Sequence, residues 1–331
     1  MDLIILTDYR NYIPQIVNDR QSLDIDKLKT FFRGKGWNVK SKKYHNVNLK
    51  KEHYKNKKIM YASSQAYEYK RYIQDILYVI KKRGGELIPN FGLFLAHEDK
   101  LMQSLLVDGR DINYPKTYPI GTFEEGVETL KSISYPIVAK NAKGDSSNKV
   151  CEINNIQEGK KFLERNLSRD YSFQKGSIIK KIYRQIRYGK RYSKGVGRVI
   201  LQEKIEDVSH DWKVLVFGNK LFTLKRFTRE NDFRASGSGK FSFEEDPPKK
   251  VLDCALRTRE IIDSPWLSVD IIDTGQRCFV VEFQAVHFGM VTFVDSQHFY
   301  HKDNGKWLKK EKGQMSLEVV MSEAFMRFVQ S

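Results

Sequence analysis

The sequence predicts an α/β protein with a small parallel α/β lobe at its start and mixed α+β structure beyond it. Three observations carry this. Short apolar strands alternate with amphipathic helices over residues 1–95, strand-like and helical runs alternate again in the middle, and the last third is rich in strands and hairpin turns. The chain has 331 residues, and at about 100–200 residues per domain that length suits two or three lobes.

The elements follow in order. Leu3-Ile4-Ile5-Leu6 is a short buried strand, and residues 24–35 form a helix stopped by Gly34 and Gly36. Lys40 to Lys58 is polar and reads as loop-rich. Lys58-Ile59-Met60-Tyr61-Ala62 is a second strand. Ile73, Ile76, Leu77 and Ile80 fall at helical spacing, with Gly84-Gly85 as the stop, and Leu87-Ile88-Pro89 is extended. Asp99-Lys100 open a helix through Val107, a helical stretch covers 123–132, and Tyr135 to Lys140 is β-rich. A polar loop runs from Gly144 to Asn148. Ile178, Ile179, Ile182, Tyr183 and Ile186 line one face of a basic amphipathic helix, with Lys180, Lys181, Arg184 and Arg187 on the other. Strands follow at Val199–Ile205, Lys213–Phe217 and Leu221–Arg226, the last two joined by the turn signal Gly218-Asn219. Pro247-Pro248 start a helix to Ile262, Leu267–Asp273 and Cys278–Phe283 pair around Thr274-Gly275, and a terminal helix covers 317–329.

Composition narrows the class. Hydrophobic residues make up 40% and charged residues 30%, which excludes a wholly disordered chain. No apolar run approaches the ~20 residues of a membrane helix, and Leu3–Leu6 behind Asp2 is no signal peptide. Cys151, Cys254 and Cys278 lie far apart without a CxxC pair, so a reducing cytoplasm is expected. The net charge of +17 is uneven. Residues 27–58 hold 12 Lys or Arg against Glu52, residues 160–198 hold 13 against Glu164 and Asp170, and each segment is +11. The rest of the chain therefore sums to −5. Such segments suit polyanions (nucleic acid, anionic polymers, lipid headgroups), and they equally suit a solvated surface.

Candidate chemistry starts with carboxylates. Asp270 sits in Val269-Asp270-Ile271-Ile272, and Glu282 in Val280-Val281-Glu282-Phe283-Gln284. On adjacent antiparallel strands Glu282 and Gln284 share a face that Asp270 can join. Hard oxygen donors of this kind suit Mg²⁺ together with phosphate oxygens; the competing reading is a pair of edge-strand acids facing water. Lys140 ends an apolar strand. Lys100 stands at a helix start, against the macrodipole preference, which invites an anion. Arg234 lies in a loop from Asn231 to Lys240 with Ser236 and glycines, able to cradle an oxyanion or simply to be a flexible hairpin loop. No GxSxG, HExxH or Walker-type motif occurs, and His298 and His301 lack a completing zinc partner.

Taken in order, Lys140, then Leu201-Gln202-Glu203-Lys204-Ile205, Asp211, Asp232-Phe233-Arg234-Ala235-Ser236, Asp270 and Glu282-Phe283-Gln284 resemble the ATP-grasp superfamily. The similarity is strongest to its carboxylate–amine ligases, the branch with the ribosomal-protein glutamate ligases, and covers about residues 96–290. The resemblance implies an ATP-grasp fold: an N-terminal lobe over 1–95, a central subdomain over 96–200 with a basic insertion at about 160–198, and a C-terminal subdomain over 201–331. It implies that Lys100 and Lys140 contact ATP phosphates, and that Glu203 and Lys204 form the adenine hinge. Asp211 would face the ribose, Arg234 would stabilise the phosphorylated intermediate with Ser236 nearby, and Asp270, Glu282 and Gln284 would hold Mg²⁺, or Mn²⁺ in its place. Gln284 stands where the family has Asn, and Gly144 to Lys149 lacks the second glycine usual in the phosphate-covering loop. The expected reaction joins an amino acid or amine to an anionic acceptor, such as an acidic peptide or a uronic-acid polysaccharide, through an acyl phosphate. A second copy of the chain is a further expected partner. Alternatives are an ATP-grasp kinase of a polyanionic small molecule and a non-catalytic polyanion-binding protein.

Overall fold

Leu3 to Leu6 form the middle of the strand Asp2–Thr7, buried from Leu3 onward. In the computed structural model, which describes residues 1–17, 19–143, 150–167, 195–206, 208–229 and 237–331, this strand is an interior member of a four-stranded sheet. The order is Asn38–Lys43, Asp2–Thr7, Lys58–Tyr61, Glu86–Ile88, and every pairing is parallel. Parallel neighbours need crossovers, and the helices Ile25–Gly34 and Tyr67–Lys82 provide them, burying Leu28 and Phe32 from one and Ile73, Ile76, Leu77 and Ile80 from the other. The parallel α/β lobe expected at the start of the chain is present. Its strand Asn38–Lys43 corrects the loop-rich reading of residues 40–58. It is an edge strand in which Val39 alone is buried, so its lysines face water and no apolar alternation marks it.

The described chain forms two compact units, Met1–His97 with Gly109–Asn113 and Val208–Ser331, and Glu98–Asp108 with Tyr114–Asp207. The first holds the parallel sheet and an antiparallel sheet in the order Cys278–Gln284, Trp266–Asp273, His210–Phe217, Lys220–Phe227, His298–Asp303, Lys306–Glu311, with Phe241–Ser242 beside Lys220–Phe227. Gly218, at φ 59°, takes the left-handed turn conformation between His210–Phe217 and Lys220–Phe227 that an L side chain resists. Register places Phe217 opposite Trp266, Leu215 opposite Phe222, Lys213 opposite Asp270, and Asp211 opposite Arg226. One face of this sheet thus runs from aromatic to charged along its strands. Leu215, Phe217, Phe222 and Trp266 join the hydrophobic core of the N-terminal lobe. The helix Leu317–Gln330 seals that junction. Its Phe325 is fully buried, with ring centroids 5.4 Å from Phe32, 6.1 Å from Trp37 and 6.4 Å from Trp266. At the start of the same helix, buried Glu318 accepts from Arg20 at 2.7 Å and from the Asp24 backbone N–H at 2.9 Å.

The second unit is an antiparallel sheet in the order Thr117–Thr122, Val196–Glu203, Ile137–Asn141, Val150–Ile153. The helices Phe123–Ser132 and Ile156–Leu167 pack with it, sharing a core that includes Leu130, Ile137, Leu163, Leu167, Val199 and Leu201. The two helices meet through a reciprocal pair of glycines. A Cβ on Gly126 would stand 2.6 Å from Leu163 Cδ1, and one on Gly159 would stand 2.5 Å from Leu130 Cδ2. The amphipathic helix expected around residues 178–187 and the loop Gly144–Lys149 lie outside the described residues. Among the described residues no helix is long and apolar enough to cross a membrane.

Candidate active site

The charged end of the antiparallel sheet gathers residues from four strands. Asp270 lies directly opposite both Lys213 and Glu282, while Gln284 lies opposite Ser268. The expectation that Asp270 joins the face of Glu282 and Gln284 therefore holds in the register, and the pairing is closer than alternation alone requires. Arg226 ties the group together. Its Nε and Nη2 each donate to one oxygen of Asp211 at 2.7 Å. Nη2 also lies 2.8 Å from Asp270 Oδ2. Lys213 Nζ donates to Asp270 Oδ1 at 3.4 Å, and Gln284 Nε2 donates to Glu282 Oε1 at 3.2 Å.

Burial acts on the two carboxylates with different outcomes: it raises the Asp211 carboxyl despite the attraction of Arg226. Burial alone would raise the Asp270 carboxyl, but Arg226 and Lys213 hold it down to about 2. Asp211 is 8% exposed in its side chain and Arg226 12%. Burial acts against the Arg226 charge, yet Asp270 and Asp211 outweigh it and push the guanidinium above its ordinary range. Asp270 is thus held as a carboxylate between the Arg226 guanidinium and the Lys213 ammonium.

The donor chemistry suits Mg²⁺. Asp270 and Glu282 are hard carboxylates on facing residues, and a carboxylate oxygen engaged by one cation still has a second lone pair. Among the described residues no group of three His, Cys, Asp or Glu side chains is placed to hold a metal unaided. An ion here would complete its shell with substrate oxygens, as Mg²⁺ commonly does with phosphates.

The second unit presents its own polar row. Lys140, next to last in the strand Ile137–Asn141, donates from Nζ to Gln202 Oε1 at 2.7 Å. The Gln202 amide nitrogen donates to Thr117 Oγ1, also at 2.7 Å, although Gln202 is only 2% exposed. Three neighbouring strands thereby fix the direction of one ammonium. Glu203 is exposed and its backbone N–H donates to the Lys116 carbonyl at 2.9 Å. Lys204 pairs with Glu152 at 3.0 Å. Lys100 opens the helix Lys100–Val107, and its backbone N–H donates to Ala142 at 2.8 Å. Asp99 caps that helix and takes Arg198 through both oxygens, one of the contacts at 3.0 Å.

Of the residues marked in the sequence, Asp211, Asp270, Glu282 and Gln284 share one sheet in the first unit, and Lys100, Lys140, Glu203 and Lys204 belong to the second. Arg234 and Ser236 lie outside the described residues. Arg226 and Lys213 were not marked. Their signal was present in strand alternation, since Lys213 stands two residues after Asp211, but only the register shows that Arg226 faces both carboxylates.

These two sheets, with a parallel lobe in front, have counterparts among solved structures. No family model matches the chain. The D-cycloserine synthetase DcsG superposes with a TM-score of 0.54 at 12% identity, covering 99% of this chain and 100% of that one. A RimK domain ATP-grasp protein from Sphaerobacter thermophilus gives 0.48 at 14% identity, over 88% of this chain and 98% of that one. In sequence, the alpha-aminoadipate–LysW ligase LysX of Saccharolobus solfataricus is 22% identical over 208 residues, 62% of this chain and 67% of that protein. The fold is ATP-grasp.

Proposed function

We propose that this protein is an ATP- and Mg²⁺-dependent ligase that activates a carboxylate as an acyl phosphate and joins it to an amine, with an anionic acceptor. The observation that carries the reading is the charge array of Asp270, Glu282, Arg226 and Lys213 on one sheet face. A carboxylate is a poor electrophile at neutral pH. Transfer of the ATP γ-phosphoryl group to its oxygen gives an acyl phosphate and ADP. The amine nitrogen then attacks the carbonyl carbon, loses a proton, and the C–O bond to phosphate breaks. Such chemistry asks for positioning and charge neutralisation rather than a protein nucleophile.

Lys100 and Lys140 are assigned to the nucleotide phosphates, and Gln202 to aiming Lys140. Glu203 and Lys204 are assigned to the adenine hinge, and Arg234 and Ser236 to the phosphorylated intermediate. Asp270 and Glu282, with Gln284 beside them, are assigned to Mg²⁺, which supplies neutralisation of phosphate charge. Asp211 has both oxygens on Arg226, so its assigned part is to hold that guanidinium rather than the ribose. In this reading residues 1–95 precede the ATP-grasp body, and 96–200 and 201–331 are its two subdomains.

The test is mass spectrometry of products from ATP, a panel of amino acids and acidic acceptors, with the Glu282→Ala variant alongside. The expected result is ADP, phosphate and an acceptor grown by an amino acid less water. The variant should keep its fold and lose turnover by about 10²-fold or more. An acceptor that gains a phosphoryl group instead would make the protein a kinase, and wild-type turnover by the variant would remove Glu282 from the site.

A further inference from the structure

The carboxyl ends of parallel strands are where α/β sheets place ligands, and here that edge carries a built aromatic and cationic surface outside the ATP-grasp machinery. The loop after the strand Asp2–Thr7 is fastened from inside. Asp8 is 1% exposed. Its Oδ1 accepts the backbone N–H groups of Arg10 and Tyr12 at 2.8 and 2.9 Å, and its Oδ2 accepts Nε and Nη2 of Arg10 at 2.9 and 2.7 Å. Asn11, at φ 70°, completes the turn and its amide oxygen accepts from Thr7. The result is an arginine with one edge of its fork committed. Among the described residues Nη1 meets no acceptor, and the side chain is 43% exposed.

Around this guanidinium stand tyrosines in unbroken contact. Arg10 lies 4.9 Å from the Tyr12 ring centroid and 5.4 Å from that of Tyr9. Tyr9 meets Tyr69 edge-on at 5.5 Å, and Tyr69 stacks on Tyr72 at 5.7 Å. Tyr9 is 59% exposed and Tyr72 41%. Large aromatic rings left in water as a contiguous patch mark an interaction surface. The same lobe carries residues 27–58, with their charge of +11, and the strand Asn38–Lys43 ends beside Thr7 at this edge.

We infer that this surface docks an acidic peptide segment of the acceptor: a carboxylate on the open edge of Arg10, and neighbouring side-chain methylenes along Tyr9, Tyr69 and Tyr72. The inference rests on the ligase reading above, because a carboxylate–amine ligase takes a carboxylate-bearing substrate. The surroundings favour a peptide over a sugar chain, since the carboxylate and amide that would hold hydroxyl groups, Asp8 and Asn11, are turned inward. They offer bases no run of parallel open faces, since Tyr9 meets Tyr69 edge-on and Tyr69 and Tyr72 already stack on one another.

The experiment is fluorescence anisotropy of a labelled deca-glutamate peptide on the full-length protein without nucleotide. Deca-lysine, oligogalacturonate and oligo-dT are compared with it. The variants are Arg10→Gln and Tyr72→Ser, both at exposed positions, each checked for an unchanged Tm. Each should raise the peptide Kd by about tenfold, the loss of roughly one good contact, and Arg10→Lys should recover only part because it lacks the planar fork. ATP affinity should not move in any of them. The inference is overturned if the wild type does not bind deca-glutamate, if neither variant weakens it, or if oligogalacturonate or oligo-dT binds more tightly. The two readings fail separately. Peptide binding lost in the variants, with no amide product from any acceptor, keeps the docking surface and removes the ligase. Normal ligation with an unchanged acceptor KM in the variants does the reverse.

Discussion

Glu318 shows how much one side chain can hold at a junction. Burial raises its carboxyl, but Arg20, the Asp24 backbone N–H and the Ser316 hydroxyl outweigh burial and bring it to about 2 from an ordinary 4.5. An acid depressed on folding contributes its full stabilisation above the ordinary value and loses it as pH falls through the folded one. Stability should therefore decline between pH 4.5 and 2. Glu318→Gln should cost about 1–3 kcal/mol at pH 7 and almost nothing at the acid end, as read by urea unfolding at both. Equal loss at both pH values would mean that shape, not charge, holds the junction. The site residues teach a related lesson. Asp270 and Glu282 were legible because acids flanked by apolar strand residues stand out. Arg226 was not, because it lies 44 residues from Asp270 in the chain, and alternation gives the face of a residue but not its partner.

Elements with an apolar stripe were legible and edge strands without one were not. The helix Tyr67–Lys82 declares itself through Ile73, Ile76, Leu77 and Ile80, and the turn at Gly218-Asn219 declares the hairpin around it. The strands Asn38–Lys43 and Lys306–Glu311 do not, because edge strands that must resist pairing with other chains carry lysine. The glycine contacts between the helices Phe123–Ser132 and Ile156–Leu167 were equally silent, since a helical glycine looks like a weakness until its neighbour is known. Gly159→Ala should destabilise by about 1–3 kcal/mol through overpacking against Leu130, despite alanine's better helix propensity. Combined with Leu130→Val it should cost less than the two changes summed, by at least about 0.5 kcal/mol in a double-mutant cycle. Strict additivity would show that the helices simply move apart.

At the scale of the molecule, the first unit is closed by pieces from both ends of the chain. Phe325 lies against Phe32, Trp37 and Trp266, so removing residues 317–331 strips the cover from an aromatic core that the rest of the unit does not replace. The truncated protein should lose its near-UV aromatic circular dichroism and be cut by protease within residues 1–95, while the full chain resists. A truncated protein with intact near-UV signal would mean that the terminal helix is an accessory.

This closure has a consequence during synthesis. The ribosome delivers the N-terminal strands first and the sealing helix some three hundred residues later. At ~5–20 residues per second the exposed rings of Phe32 and Trp37 wait many seconds for Phe325. Residues 114–207, by contrast, form one nearly continuous stretch of the second unit and have their partners at hand as they emerge. The nascent N-terminal lobe thus keeps an apolar face open to chaperones until the helix Leu317–Gln330 has emerged to cover it.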